Sequence, residues 1–326
     1  FDVGYMSISL WNSSFVYNEQ STPYCYICKG PPDNLPTVQR VLKGNYAVFT
    51  AWMWGHYGHS THDILPWFAY MKELTSHDPT LKYVLLDYRR ARDILAVFDP
   101  AFYAHRVVWV KPGELTIVKG NVITFKDWQL RDNNFRHMDF LRLWASKARD
   151  YESKRDKVVL YNRRNPNDTN GKRYMRPDIE EEMVVRIKDA LKRYGRKEEL
   201  VIYNGLHPNG KSMAAYDQYE FFRDATAVIG PHGSGLTGNL LWTNPTPRDC
   251  EDRVKVLEIY GDADVANTTS PNKRGSVDTH WLFMRGWPLE YHHMLFSHGS
   301  TRDALIIDLD MFTDVLDSMF GPKGQK

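Results

Sequence analysis

Between residues 158 and 260 short apolar runs alternate with amphipathic stretches, and this rhythm restricts the fold more than any other feature of the chain. Residues 158–162 read as a strand, 178–194 as a helix, 200–204 as a strand and 216–224 as a short helix. A strand over 225–230, a helix over 234–242 and a strand over 254–260 follow. Strand, helix and strand in repetition imply a parallel sheet with helices on both faces, an α/β architecture. The helix over 178–194 is written most clearly. Pro177 fits its first turn, and Asp178, Glu180, Glu181 and Glu182 complement the positive end of its dipole. Ile179, Met183, Ile187 and Leu191 recur every four residues as its buried stripe. In sheets of this kind ligands bind beyond the carboxyl ends of the strands, so chemistry is sought in the loops there.

The first half is less regular. Strands are expected at 46–50, 83–87 and 107–110, and helices at 62–74 and 91–97. A long amphipathic helix over 135–151 leads into a charged linker at 152–157. The 326 residues suit about two domains. The expected division is 1–152, an N-terminal Rossmann-like domain, and 153–300, a C-terminal one. A tail of 301–326 carries a helical apolar stripe over 303–319, expected to pack back across the boundary.

Several function classes are excluded early. Forty-two basic against 40 acidic residues give a net charge of +2, which does not suit a general polyanion binder. No run approaches the ~18 apolar residues of a membrane-spanning helix. Three cysteines make no disulfide framework, and the pair Cys25 and Cys28 lacks the second pair that a zinc site needs. The sequence starts at Phe1 with no basic or apolar leader, so removal of a signal or anchor is expected if the protein is secretory. Asn12, Asn167 and Asn267 stand in N-x-S/T sequons, a pattern common by chance.

The strongest local signal is Gly230-Pro231-His232-Gly233-Ser234-Gly235-Leu236-Thr237, where a strand ends, a Gly-rich turn follows and a helix begins. Glycines let backbone amides approach an anion, and a helix N-terminus adds free donors. His232 and the hydroxyls of Ser234 and Thr237 can donate to phosphate oxygens. The bland alternative is a tight turn with no ligand. Arg163 and Arg164 follow the first strand of the same sheet, with Arg173 and Arg176 close in sequence, and guanidinium forks suit a diphosphate. Glu258, in the strand after the Gly-rich helix, is either a ribose ligand or a buried structural carboxylate.

A second cluster lies in the first half. His56, His59 and His62 stand three apart and Asp63 follows, before Ile64-Leu65-Pro66. Steps of three advance about 300° on a helix, so the rings converge on a metal only if the backbone bends. The alternative is an acid–base group with Asp63 as proton acceptor and His59 or His62 orienting it or touching substrate. Asp262-Ala263-Asp264 and Asp308-Leu309-Asp310 are DxD pairs of the kind that hold divalent metals.

Together these residues resemble glycosyltransferase family 61. Its N-terminal pattern is similar to Gly58-His59-Ser60-Thr61-His62-Asp63-Ile64-Leu65-Pro66. Its paired arginines resemble Arg163-Arg164, with Arg173 following, and Gln218 matches a glutamine of the pattern. Its hallmark resembles Gly230 through Asn239, and its strand glutamate resembles Glu258. Ser234 stands where the family has alanine, and Asn239 falls one position late. The resemblance implies a GT-B fold, two Rossmann-like domains facing a central cleft. It implies an inverting transferase that needs no metal or other cofactor and moves a sugar, xylose or N-acetylglucosamine, from a UDP-sugar to a hydroxyl of a glycan or glycoprotein. Asp63, His59 and His62 would then serve catalysis. Arg163, Arg164, Arg173, His232, Gly233, Ser234, Gly235, Leu236, Thr237 and Glu258 would hold the donor. A secretory-lumen location is implied for a eukaryote, and a cytoplasmic one for a microbe or virus. The competing readings are a metal-dependent GT-A enzyme built on Asp262 and Asp264, a non-catalytic nucleotide- or sugar-binding protein, and a zinc protein using the three histidines.

Overall fold

The computed structural model describes residues 15–18, 38–49, 60–111, 115–119, 121–124, 134–148, 153–162, 174–245, 253–261, 286–296 and 306–322. The chain divides into two compact units, Phe1–Arg149 and Asp150–Lys326. Both are α/β, every strand pair in them is parallel among the described residues, and eight α-helices accompany twelve strands. This is a Rossmann-like construction.

In the first unit β1 (Phe15–Asn18), β2 (Val38–Lys43) and β6 (Leu115–Lys119) form a three-stranded sheet in the order β1-β6-β2. A second sheet runs β5-β4-β3-β7, from β3 (Tyr46–Phe49), β4 (Lys82–Leu86), β5 (Val107–Val110) and β7 (Val122–Thr124). Leu42 and Val118 of the first sheet share a core with Tyr46, Val48, Val84 and Val110 of the second. Helix α1 (Leu65–Leu74) packs on α4 (Asn134–Ala148), with Phe68 5.5 Å from Tyr83 and 5.9 Å from Trp144 between ring centres. Helices α2 (Arg89–Phe98) and α3 (Pro100–Arg106) join β4 to β5, and Asp99 caps α3 by accepting from the Phe102 amide at 2.9 Å.

In the second unit the sheet order is β12-β11-β10-β8-β9. Its strands are β8 (Lys157–Tyr161), β9 (Glu199–Tyr203), β10 (Ala225–Pro231), β11 (Val254–Gly261) and β12 (Leu289–Phe296). The first strand, β8, has its successor on one side and the third strand on the other, so the strand order reverses between β8 and β10. Helices α5 (Pro177–Arg193) and α8 (Leu309–Phe320) cover one face, where Met183, Ile187, Leu191, Phe312, Leu316 and Met319 meet Val158, Leu160, Ile229 and Ile259. Each such side chain contributes roughly 1.5–3 kcal/mol by leaving water. Arg193 Nη1 donates to both carboxylate oxygens of Asp317, at 2.6 and 2.8 Å, and closes the rim between the two helices. Helices α6 (Ala215–Phe222) and α7 (Ser234–Leu240) lie on the other face, with Phe222 4.8 Å from Tyr203 between ring centres.

The terminal helix thus packs on α5 and β12, inside the second unit's own core. Its first residues also settle one DxD pair. The Asp308 carboxylate accepts from the amides of Asp310 and Met311, both at 3.0 Å, which makes it the N-cap of α8. The other pair, Asp262 and Asp264, lies outside the described residues, as do His56, Cys25, Cys28 and Cys250. Among the described residues no helix is long and apolar enough to cross a membrane.

Candidate functional site

In each unit the residues of interest follow strands that flank a reversal of strand order. In the first unit β4 and β5 extend to one side of β3 and β7 lies on the other. The segment leaving β3 ends in a π-helical turn, Ser60–Ile64, that runs straight into α1. Pro66 accounts for the widened turn. It has no N–H to give the His62 carbonyl, and its ring crowds that carbonyl, so a regular α-turn cannot form there. The backbone of His62 and Asp63 therefore lies in a π turn at the carboxyl edge of the sheet, not in the first turn of the α-helix expected over 62–74. Ser60 and Thr61 are fully buried and Ile64 nearly so, which fixes the turn. The side chains of His62 and Asp63, and all of His59, lie outside the described residues.

In the second unit the reversal falls between β8 and β10, whose register pairs Ile229 with Leu160. The Gly-rich turn after β10 and the segment after β8 are therefore neighbours at one edge. Their closeness shows in the glycines. A Cβ on Gly230 would stand 2.7 Å from the Tyr161 carbonyl oxygen, and one on Gly235 would stand 2.0 Å from the Tyr161 hydroxyl. Gly233 caps α7 with φ 147°, a left-handed conformation that favours glycine. Leu236 is buried in the core, and Thr237 donates from its hydroxyl to the Gly233 carbonyl at 3.3 Å. Ser234 opens α7, and its side chain lies outside the described residues. Asn239, also buried, donates to the Gly235 carbonyl and is a hydrogen-bond partner of Tyr203, so it braces the short helix from below.

His232 is pinned on three sides. Its amide donates to the Ile259 carbonyl at 2.8 Å, its Nδ1 lies 2.7 Å from Glu258 Oε1, and its ring stacks on Tyr260 at 4.9 Å. Glu258 has no exposed surface. Its Oε2 accepts from the hydroxyls of Tyr260 and Tyr291, at 2.7 and 2.8 Å. Burial first, and the Glu258 charge second, push both phenols well above their usual range, so both keep their protons near neutral pH.

Arg163, Arg164 and Arg173 lie outside the described residues, but the two ends of their segment do not. Asn162 is fully buried, donates to the Met175 carbonyl at 3.1 Å and accepts from the Met175 amide at 3.0 Å. It also donates to Glu180 in the first turn of α5. The two positions that flank the basic run, Asn162 and Met175, are thus clamped together beside the sheet edge. Asn162→Ala strands the buried Met175 groups at a cost of about 1–3 kcal/mol each. The expected result is a lower melting temperature; an unchanged one would show that the clamp does not stabilise the fold.

The structure brings together Gly230, His232, Gly233, Gly235 and Glu258 at one edge of one sheet. The family model for glycosyltransferase 61 matches residues 57–248, more than half of the chain and a span that takes in both sheet edges. The chain belongs to glycosyltransferase family 61. No curated protein and no solved structure matches it. A glycosyltransferase carries a sugar from an activated donor to an acceptor, and in this one the Gly-rich turn stands at the reversal point of the second sheet. Sequence reasoning passed over Asn162 and Tyr260 as ordinary strand residues and missed Tyr291 with the whole of β12. The signal in that strand is faint because Glu290 and His292 interrupt its apolar pattern; Glu290 is answered across the sheet by Lys255, at 2.9 Å.

Proposed function

We propose that the protein is an inverting, metal-independent transferase that moves a sugar from a UDP-sugar to a hydroxyl of a glycan or glycoprotein. Xylose and N-acetylglucosamine are the donor sugars that the family resemblance favours. The observation that carries the reading is the placement of the Gly-rich turn beside the end of β8. There the first amides of α7, which have no intrahelical acceptor, lie at the same sheet edge as Asn162, the residue that precedes Arg163 and Arg164 in the sequence.

In this reading the two Rossmann-like units form a GT-B enzyme. The second unit holds the nucleotide and the first supplies the base. Asp63 takes the proton of the acceptor hydroxyl as its oxygen attacks C1 of the donor sugar, with His59 and His62 orienting it or touching substrate. UDP leaves from the opposite face of the sugar, which inverts the anomeric carbon. The negative charge that grows on the diphosphate is met by Arg163, Arg164, Arg173, the amides of Gly233, Ser234 and Gly235, and the His232 ring, which do electrostatically what a metal does elsewhere. The buried Leu236 and the Thr237 hydroxyl act by holding the helix that presents those amides.

Arg163→Ala is expected to weaken UDP binding about tenfold or more in calorimetry, the loss of one charge-assisted hydrogen bond of roughly 1.5–3 kcal/mol. Unchanged affinity would remove Arg163 from the donor site. A screen of UDP-xylose, UDP-N-acetylglucosamine, UDP-glucose, UDP-galactose and UDP-arabinose for donor hydrolysis, with and without EDTA, identifies the sugar and tests metal independence. UDP binding without hydrolysis or transfer, for any donor and acceptor, would point to a binding protein instead.

A further inference from the structure

His137 on α4 is only 7% exposed, and its Nδ1 has no hydrogen-bond partner. The ring fills the seam between α4 and α1. It stacks on Tyr70, with ring centres 4.7 Å apart, and meets Trp67 at 5.2 Å. Tyr70 in turn touches Phe140 at 5.0 Å, so the imidazole is packed as one more aromatic ring. A neutral imidazole suits that place. An imidazolium does not: it carries a hydrogen on both nitrogens, and the one on Nδ1 would be a charged donor without an acceptor. Aromatic faces attract a cation, but by less than the burial of an unpaired charge costs. Burial accordingly holds the ring below the usual histidine range. Tyr70 is the titratable group that touches it from α1, and phenols carry no charge in acid. Lys72, further along α1, stands instead over the Trp144 and Phe102 rings, at 4.8 and 5.4 Å. On α4 itself Asp139 is exposed and pairs with Arg142 at 3.4 Å. Among the described residues no carboxylate holds the charged form of the ring.

We propose that His137 is an acid-sensitive latch: neutral, it locks α1 against α4, and protonated in mildly acidic medium it opens that seam and loosens the π turn that leads into α1. The turn carries the backbone of Asp63. The loss of turnover that follows therefore rests on the base reading given above, whereas the opening of the seam does not. The sign follows from burial. Once the seam opens, the ring takes up a proton more readily than when packed. The seam is fully held above about pH 6.5, the ordinary histidine value, and weakens as the pH falls below it. One proton bound on opening multiplies the opening constant by up to about tenfold for each pH unit. Every residue of the seam belongs to the first unit, so elements of the second serve as an internal reference.

The test is made on the full chain at two acidities, about pH 7.5 and about pH 5.5, on either side of the ordinary histidine value. Hydrogen exchange read by mass spectrometry, corrected for the intrinsic effect of pH, follows α1 and α4, with α5 as the reference. The wild type is expected to exchange up to about tenfold faster over α1 and α4 at the lower pH, with α5 unchanged and the change reversed on neutralisation. His137→Phe keeps a ring in the seam and His137→Gln keeps a neutral polar group; neither titrates, so both should lose the response. Hydrolysis of UDP-xylose and UDP-N-acetylglucosamine is measured as the ratio of variant to wild type at each pH, which cancels the titration of the substrate and of every other residue. That ratio should rise by up to about tenfold at the lower pH. Wild-type exchange that ignores pH, or an equal response in the wild type and both variants, overturns the latch. A response confined to the wild type with a flat hydrolysis ratio overturns its hold on the turn. Full turnover in Asp63→Asn overturns the base reading and not the latch, which the exchange decides.

Discussion

Asp63→Asn is expected to bind UDP as the wild type does and to transfer sugar about 10²- to 10⁴-fold more slowly, the usual contribution of a positioned base. The exchange is nearly isosteric. The backbone that carries residue 63 is held by the buried Ser60, Thr61 and Ile64 and by Pro66, so the fold has little reason to respond. A carboxylate that takes the acceptor proton contributes only as the nucleophile attacks, which is why ground-state binding of the nucleotide is spared and turnover is not. Calorimetry with UDP and an initial-rate transfer assay on the same preparation read the two quantities. Turnover equal to wild type would take Asp63 out of the mechanism, and a parallel loss of UDP affinity would make it a donor ligand instead of a base.

Gly230→Ala is expected to be the most disruptive small change at the donor site. Its new methyl would meet the Tyr161 carbonyl oxygen at 2.7 Å and the Tyr161 Cβ at 2.8 Å, atoms of a buried central strand that cannot swing aside. Overpacking of this kind costs about 1–3 kcal/mol and here would push β8 and β10 apart at the edge where the nucleotide is proposed to sit. Gly235→Ala differs in kind, because its nearest neighbour is the Tyr161 hydroxyl, at 2.0 Å, with the ring carbon behind it at 2.7 Å. Removing that oxygen with Tyr161→Phe should recover part of the stability lost by Gly235→Ala and none of that lost by Gly230→Ala. Thermal melts of the three single and two double variants, with and without UDP, decide the matter. Equal recovery in both pairs would mean that the strand relaxes as a whole and that the glycines are not steric requirements.

Much of the second unit was legible because its elements carry their own local signals. The helix at Pro177–Arg193 is bounded by a proline and an acidic first turn, and its apolar stripe is the one that is buried, with Ala190 added and Ile179 only partly covered. Strands β8, β9, β10 and β11 are apolar runs, and each was placed to within a residue or so. The Gly-rich turn announced itself by composition. In the first unit the expected strands at 46–50, 83–87 and 107–110 form, but β1, β2, β6, β7 and α3 went unread. Those pieces are short, and several carry charge, such as Arg40 and Lys43 in β2; β1 and β2 hold their shape through pairing with β6, and β7 through pairing with β3, more than through propensity.

The order of residues along the chain was enough to establish an α/β protein, a glycine turn between a strand and a helix, and a resemblance to one family of transferases. Those features depend on local spacing, which a linear sequence states directly. Only tertiary structure decided that Glu258 faces His232 and two phenols, that Asn162 clasps Met175, and that Gly230 and Gly235 must lack side chains because Tyr161 stands where those side chains would go. Apart from Glu258 with Tyr260, which share β11, these contacts join separate parts of the chain, and which strands become neighbours is fixed by how the whole chain buries its apolar faces.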